Sequence, residues 1–107
     1  IDLQTFVAVT ATNAAKLYGL HPRKGTIAVG SDADLVLWDP EREVVLTNDD
    51  LHGNCDYSPY EGRHITGWPV LSMSRGVVLC RDGKVVAPKG HGTFLHRGTS
   101  SAVKKAA

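Results

Sequence analysis

Across Pro22-Arg23-Lys24-Gly25-Thr26-Ile27-Ala28-Val29-Gly30-Ser31-Asp32-Ala33-Asp34-Leu35-Val36-Leu37-Trp38-Asp39-Pro40 the pattern of the chain changes from helical to strand-like. Upstream, from about Asp2 to Tyr18, good helix formers carry apolar side chains at Leu3, Phe6, Val7, Ala14, Leu17 and Tyr18. Such a helical stripe needs a partner surface. Asp2 can cap the first turn by accepting a backbone N–H. Thr12 or Asn13 stands where a second cap would go, which predicts two short helices with a bend. Gly19 can take the left-handed conformation that closes a helix. His21-Pro22 blocks continuation, since the residue before a proline is pushed out of the helical region.

Downstream of Asp34 the pattern is that of strands. Leu35-Val36-Leu37-Trp38, bounded by Asp34 and Asp39-Pro40, reads as a buried strand, and Glu43-Val44-Val45-Leu46-Thr47 as another. Val70–Ser74, Val77–Cys80 and Lys84–Val86, punctuated by Arg75-Gly76 and Asp82-Gly83, read as a three-stranded meander. Asp-Gly suits a tight hairpin because such turns need positive φ. Beyond Pro88 the chain is rich in glycine, and from Gly98 to Ala107 it is small and polar, with too little apolar surface to order itself. No internal repeat is visible. About five strands need a second layer over their apolar face, and the chain supplies too little helix for one. The expectation is an incomplete architecture, completed by sequence upstream.

The 107 residues leave room for one small domain at most. A hydrophobic share of 42% and a charged share of 21% are those of an ordinary globular protein. A formal charge of +1 gives no basic excess for a nucleic-acid surface. The apolar stretches are too short to span a bilayer, so neither nucleic acid nor membrane is an expected partner. Ile1-Asp2-Leu3-Gln4 has no initiator Met and no charged region before an apolar core, which argues against a signal peptide here and for sequence preceding it. Cys55 and Cys80 could pair, but without a secretory signal they read as two reduced thiols of a cytoplasmic protein.

Five histidines, His21, His52, His64, His91 and His96, invite a test for zinc together with the two cysteines. His52-Gly53-Asn54-Cys55 could bring two ligands together, but a structural site needs four, and no second pair has suitable spacing. They read as loop and surface residues. Lys89-Gly90-His91-Gly92 lacks the Ser/Thr and the following helix of a phosphate loop. Asp32 and Asp34 are close in sequence, one in a turn and one flanking a strand, which is a poor basis for an acid/base pair. Tyr57, Tyr60 and Trp68 could line a ligand site, though aromatics in such a sheet more often serve a core or an interface. Glu61-Gly62 reads as fixing a loop. No catalytic, cofactor-binding or metal-binding residue is assigned.

Several motifs carry a resemblance to a known family. Thr12-Asn13-Ala14-Ala15-Lys16-Leu17-Tyr18-Gly19-Leu20-His21-Pro22-Arg23-Lys24-Gly25 resembles the last barrel helix and exit of dihydropyrimidinases and D-hydantoinases. Gly30-Ser31-Asp32-Ala33-Asp34-Leu35-Val36 is similar to a motif found more broadly across cyclic amidohydrolases. Asn54-Cys55-Asp56-Tyr57-Ser58-Pro59-Tyr60-Glu61-Gly62 resembles the Asp-Tyr-x-x-(Tyr/Phe)-Glu-Gly segment of the hydantoinase branch. Ser74-Arg75-Gly76 and Gly92-Thr93-Phe94-Leu95-His96-Arg97 look like its hairpin and its C-terminal stretch. Ala14 stands where many hydantoinases carry proline, and Cys55 where a small aliphatic residue is usual.

The resemblance implies a mainly β fold with N-terminal helices. Residues 1–22 would be the terminal helical segment of a (β/α)8 catalytic barrel, 23–88 the C-terminal part of a small β-sandwich, and 89–107 a tail. It implies a hydrolase that opens the ring amide of dihydropyrimidines or 5-substituted hydantoins. In such enzymes two metal ions, usually zinc, sit with a bridging carboxylated lysine at the mouth of the barrel. They activate a water molecule and polarise the scissile carbonyl. Those residues lie upstream of the barrel's last helix, so the segment is expected to be structural and inactive alone. Its expected partners are the rest of the parent chain and further copies in a homotetramer, with the cyclic ureide bound elsewhere. The alternatives are another cyclic amidohydrolase, such as an allantoinase or dihydroorotase, or a non-catalytic dihydropyrimidinase-related assembly protein. Phe94 and Leu95 are expected to dock on the barrel or on a neighbouring subunit.

Overall fold

The structure is a computed structural model that describes residues 1–100. It divides into two compact units, one formed by Ile1–Asp34 with the chain from Gly90 onward, the other by Leu35–Lys89.

The first unit is built on a single helical rod instead of two helices with a bend. It runs through α1 (Leu3–Val7), a π-helical turn (Ala8–Thr12) and α2 (Asn13–Leu17). Thr12 keeps helical dihedrals and makes no side-chain cap. The chain absorbs the irregularity as a wide turn, with the Asn13 N–H reaching back five residues to the Ala8 carbonyl. Asp2 caps the rod as expected, its Oδ1 accepting the Thr5 N–H at 2.7 Å. The far end is a Schellman closure. Gly19, at φ +68, donates to the Lys16 carbonyl, and Leu20 donates to the Ala15 carbonyl.

Residues 23–34 pack back on this rod and belong to the same compact unit. The Thr12 hydroxyl donates to the Gly25 carbonyl at 2.7 Å. Gly25 lies so close to the helix that a Cβ there would stand 2.5 Å from the Ala15 Cβ. Ala15 is one of two buried apolar residues among those described; the other is Leu46, in the second unit.

The second unit is one antiparallel sheet in the order β1 (Leu35–Val45), β2 (His64–Ser74), β3 (Val77–Arg81), β4 (Lys84–Val85). Asp39-Pro40 does not separate two strands. Residues 35–45 form one strand, because Pro40, Glu41 and Arg42 bulge out opposite Gly67 and the ladder resumes at Glu43↔Thr66. The bulge tolerates a proline that cannot donate to a ladder. The Asp39 carboxylate accepts the Glu41 N–H within it. β2 likewise starts at His64, upstream of Val70. Its Pro69 sits at a register shift opposite Trp38, where a missing N–H does least harm. Both hairpins turn through paired positive φ values, Arg75-Gly76 at 47 and 78 and Asp82-Gly83 at 47 and 76. That is the type I′ geometry whose twist matches the strands.

Leu35–Trp38 is not buried. Val36, Leu37 and Trp38 are each about half exposed, on alternating faces of an edge strand. The unit contributes no second layer, its one helical turn being the three-residue 3₁₀ segment Asn48–Asp50.

Candidate functional site

Two groups of polar side chains come together, one in each unit. In the first, the Asp32 carboxylate accepts Arg23 Nε at 3.0 Å and Lys24 Nζ at 2.9 Å, and Lys24 also pairs with Asp34. The loop 20–34 makes this possible by closing on itself, with the Asp32 N–H donating to the Arg23 carbonyl and the Ser31 hydroxyl to the Pro22 carbonyl. The Lys24 side chain is only 17% exposed. Burial pulls its pKa down, but the hydrogen bonds and charges of Asp34 and Asp32 outweigh this and raise it. The hydrogen bond from Lys24, reinforced by Arg23, holds Asp32 below the ordinary carboxylate range. A general base works best with a pKa near the operating pH. An ion-paired carboxylate pushed the other way is a fastener, so Asp32 joins the loop to its own base and is not half of an acid/base pair.

In the second unit, a cleft of about 210 Å³ is lined by Arg42, Val44, Asp49, Asp50, His52, Trp68 and the Asp82–Lys84 turn. Its walls are tied together. His52 Nε2 lies 3.1 Å from the Gly83 carbonyl, which can only accept, so Nε2 carries the proton. Arg42 approaches Asp82 at 3.9 Å. Asp50 completes a capping box with Thr47, whose hydrogen bonds lower its pKa. The cleft offers mixed charges and one indole, with no nucleophile held against a base.

The remaining sequence candidates are scattered. Among the described residues no three His, Cys, Asp or Glu side chains gather where they could hold a metal ion. His64 is exposed on β2, and His96 meets Phe94 edge-on at 5.0 Å. Cys55 is exposed and Cys80 half-buried, and neither is bridged. Tyr57 and Tyr60 are exposed rather than in a core. Arg63 lies over the Tyr60 ring at 5.5 Å, and the Gly62 N–H donates to the Leu46 carbonyl, closing the loop 47–61 at its base. Trp68 lines the cleft, and neither tyrosine does. Phe94 is 81% exposed. The tail beyond Ser100 lies outside the described residues. Among the described residues, no helix is long and apolar enough to cross a membrane. The Lys24 cluster was not singled out from sequence; Arg23-Lys24 followed by Asp32 and Asp34 across a glycine-rich loop was its only signal.

A cap, a glycine-closed helix and a loop riveted to it, followed by an antiparallel meander, agree with the motif reading. The profile of the amidohydrolase family matches residues 1–86. The chain belongs to that family.

Its relatives narrow the branch. It is 48% identical over 97 residues to a D-hydantoinase of Ralstonia pickettii, which covers 91% of this chain and 21% of that protein. It is 44% identical to a dihydropyrimidinase of Rattus norvegicus, covering 91% of this chain and 19% of that one. Among solved structures, dihydropyrimidinase from Brevibacillus agri NCHU1002 superposes with a TM-score of 0.90 at 42% identity, over 94% of this chain and 22% of its own. The chain thus spans about a fifth of the length of the relatives it matches.

Proposed function

We propose that this chain is the structural C-terminal portion of a metal-dependent cyclic amidohydrolase that hydrolyses the ring amide of dihydropyrimidines or 5-substituted hydantoins. The observation that carries the reading is likeness at 48% identity along 91% of the chain to a D-hydantoinase of which the match covers 21%. In this reading the metals are held by parts of the protein outside this chain. When bound they supply an activated water molecule and a polarised carbonyl.

Exposed Leu3, Val9, Leu17, Val36, Leu37 and Trp38 support the structural half of the proposal. Each large apolar side chain gains about 1.5–3 kcal/mol on burial. In our reading the helical rod closes a catalytic barrel, the sheet completes a β-sandwich, and the assembly is a cytoplasmic homotetramer.

The test is hydrolysis of dihydrouracil and hydantoin by the full-length protein, before and after chelation. We expect turnover that is lost with the metal and regained with zinc, and none from residues 1–107 alone. Turnover by the 107-residue piece would overturn the structural role. A metal-loaded full-length protein that opens neither ring, or that prefers allantoin or dihydroorotate, would overturn the substrate class.

A further inference from the structure

Gly19 does more than end the helix. Its carbonyl accepts the Gly98 N–H at 2.8 Å. A Cβ on Gly19 would stand 2.3 Å from the Gly98 carbonyl oxygen, 2.7 Å from its carbon and 3.2 Å from the Thr99 carbonyl carbon. All three are main-chain atoms, so no rotamer change could relieve the clash. In the other direction, a Cβ on Gly98 would stand 3.2 Å from the Gly19 carbonyl oxygen. Two bare backbones therefore touch: Gly19 has no room for a side chain, and a Cβ on Gly98 would need the contact to give by a few tenths of an ångström.

Arg97, the residue just before this contact, is exposed. We infer that Gly19 and Gly98 form a latch that holds the C-terminal segment on the end of the helix and makes the Arg97–Gly98 peptide bond a conditional cleavage site for an arginine-directed protease. Extended peptides are recognised by main-chain pairing on both sides. Here the Gly98 N–H is already engaged and its carbonyl is pressed on Gly19, so the segment must leave the helix before a protease can seat it. The inference does not depend on the proposed catalytic activity.

The experiment is limited trypsin digestion of the native full-length protein, with the Arg97 cut followed by mass spectrometry. Gly19→Asn separates the two roles of the glycine, because asparagine tolerates the left-handed conformation but still carries a Cβ. We expect at least tenfold faster cutting after Arg97 in Gly19→Asn, a smaller acceleration in Gly98→Ala, and an unchanged rate at Arg81. Cutting of Gly19→Asn at the wild-type rate would overturn the latch. If that variant fails to fold, hydrogen exchange in the unaltered protein decides. The Gly98 amide should exchange at least tenfold more slowly than in an unstructured chain, and exchange at the unstructured rate would overturn it.

Discussion

Replacing Gly25 with alanine tests whether the loop after the helix is held by close backbone approach or only by its glycine conformation. Gly25 sits at φ +79, a region that costs other L-residues about 1–2 kcal/mol. Its Cβ would lie 2.5 Å from the Ala15 Cβ, 3.0 Å from the Ala11 carbonyl oxygen and 3.2 Å from the Thr12 Cα. Ordinary carbon contacts are ~3.5–4.0 Å, so loop and helix must separate by roughly an ångström. Overpacking of this kind costs about 1–3 kcal/mol. Gly25→Ala should therefore destabilise by about 2–5 kcal/mol.

Gly30 supplies the control. It has φ +89 with nothing within 4 Å of its would-be Cβ, so Gly30→Ala should show only the conformational part, about 1–2 kcal/mol. Urea denaturation of the full-length protein at constant slope measures both. The double variant Gly25→Ala/Ala15→Gly reopens the space, and its coupling energy should be about 1–3 kcal/mol after the ~1 kcal/mol cost of glycine in a helix. Equal shifts for Gly25→Ala and Gly30→Ala, or a coupling near zero, would refute the close-contact account.

The Lys24–Asp32 ion pair and the Asp50 capping box make stability depend on pH at both extremes. Asp32 and Asp50 have folded pKa values below their unfolded ones, so their stabilisation is present above about pH 4 and is lost as pH falls further. Lys24 is shifted up, so its contribution holds below about pH 10.4 and fades as pH rises beyond. A stability–pH profile should fall on both sides, and Asp32→Asn should flatten the acid limb; an unaltered acid limb would remove Asp32 from the account. In the second hairpin, Asp82→Asn keeps a residue suited to positive φ and removes only the 3.9 Å approach of Arg42. It should change stability by less than about 1 kcal/mol, whereas Asp82→Val should cost more than that. Equal urea midpoints for the two variants would count against the turn geometry.

What was legible in the sequence was local. The Asp2 cap, the Gly19 closure and the Asp82-Gly83 turn each depend on one residue's backbone preference or reach. The strand boundaries were not legible in the same way. Asp39-Pro40 and Pro69 look like breaks to any reading by propensity, yet each falls where the register shifts and no ladder donor is required. The exposure of Leu35–Trp38 was missed because an apolar run states only what a strand needs, not what its own unit supplies. The Lys24–Asp32–Asp34 cluster depends on a loop folding back over eight to ten residues, which no pairwise spacing announces. The pairing of Gly19 with Gly98 spans most of the chain.

The π-turn at Ala8–Thr12 has a consequence for insertions and deletions. Each residue advances an α-helix by about 100°, and the wide turn takes up one residue more than a regular helix would. The Leu3–Phe6–Val7 end is therefore phased one residue apart from the Ala11–Ala15 end that Gly25 grips. Deleting Val9 would leave a regular helix, with Ala11, Thr12 and Ala15 still facing the loop. Leu3, Phe6 and Val7 would swing by about 100° onto a different bearing. The single extra residue thus acts as a phase shifter: it lets one rod present two faces whose directions can be chosen independently.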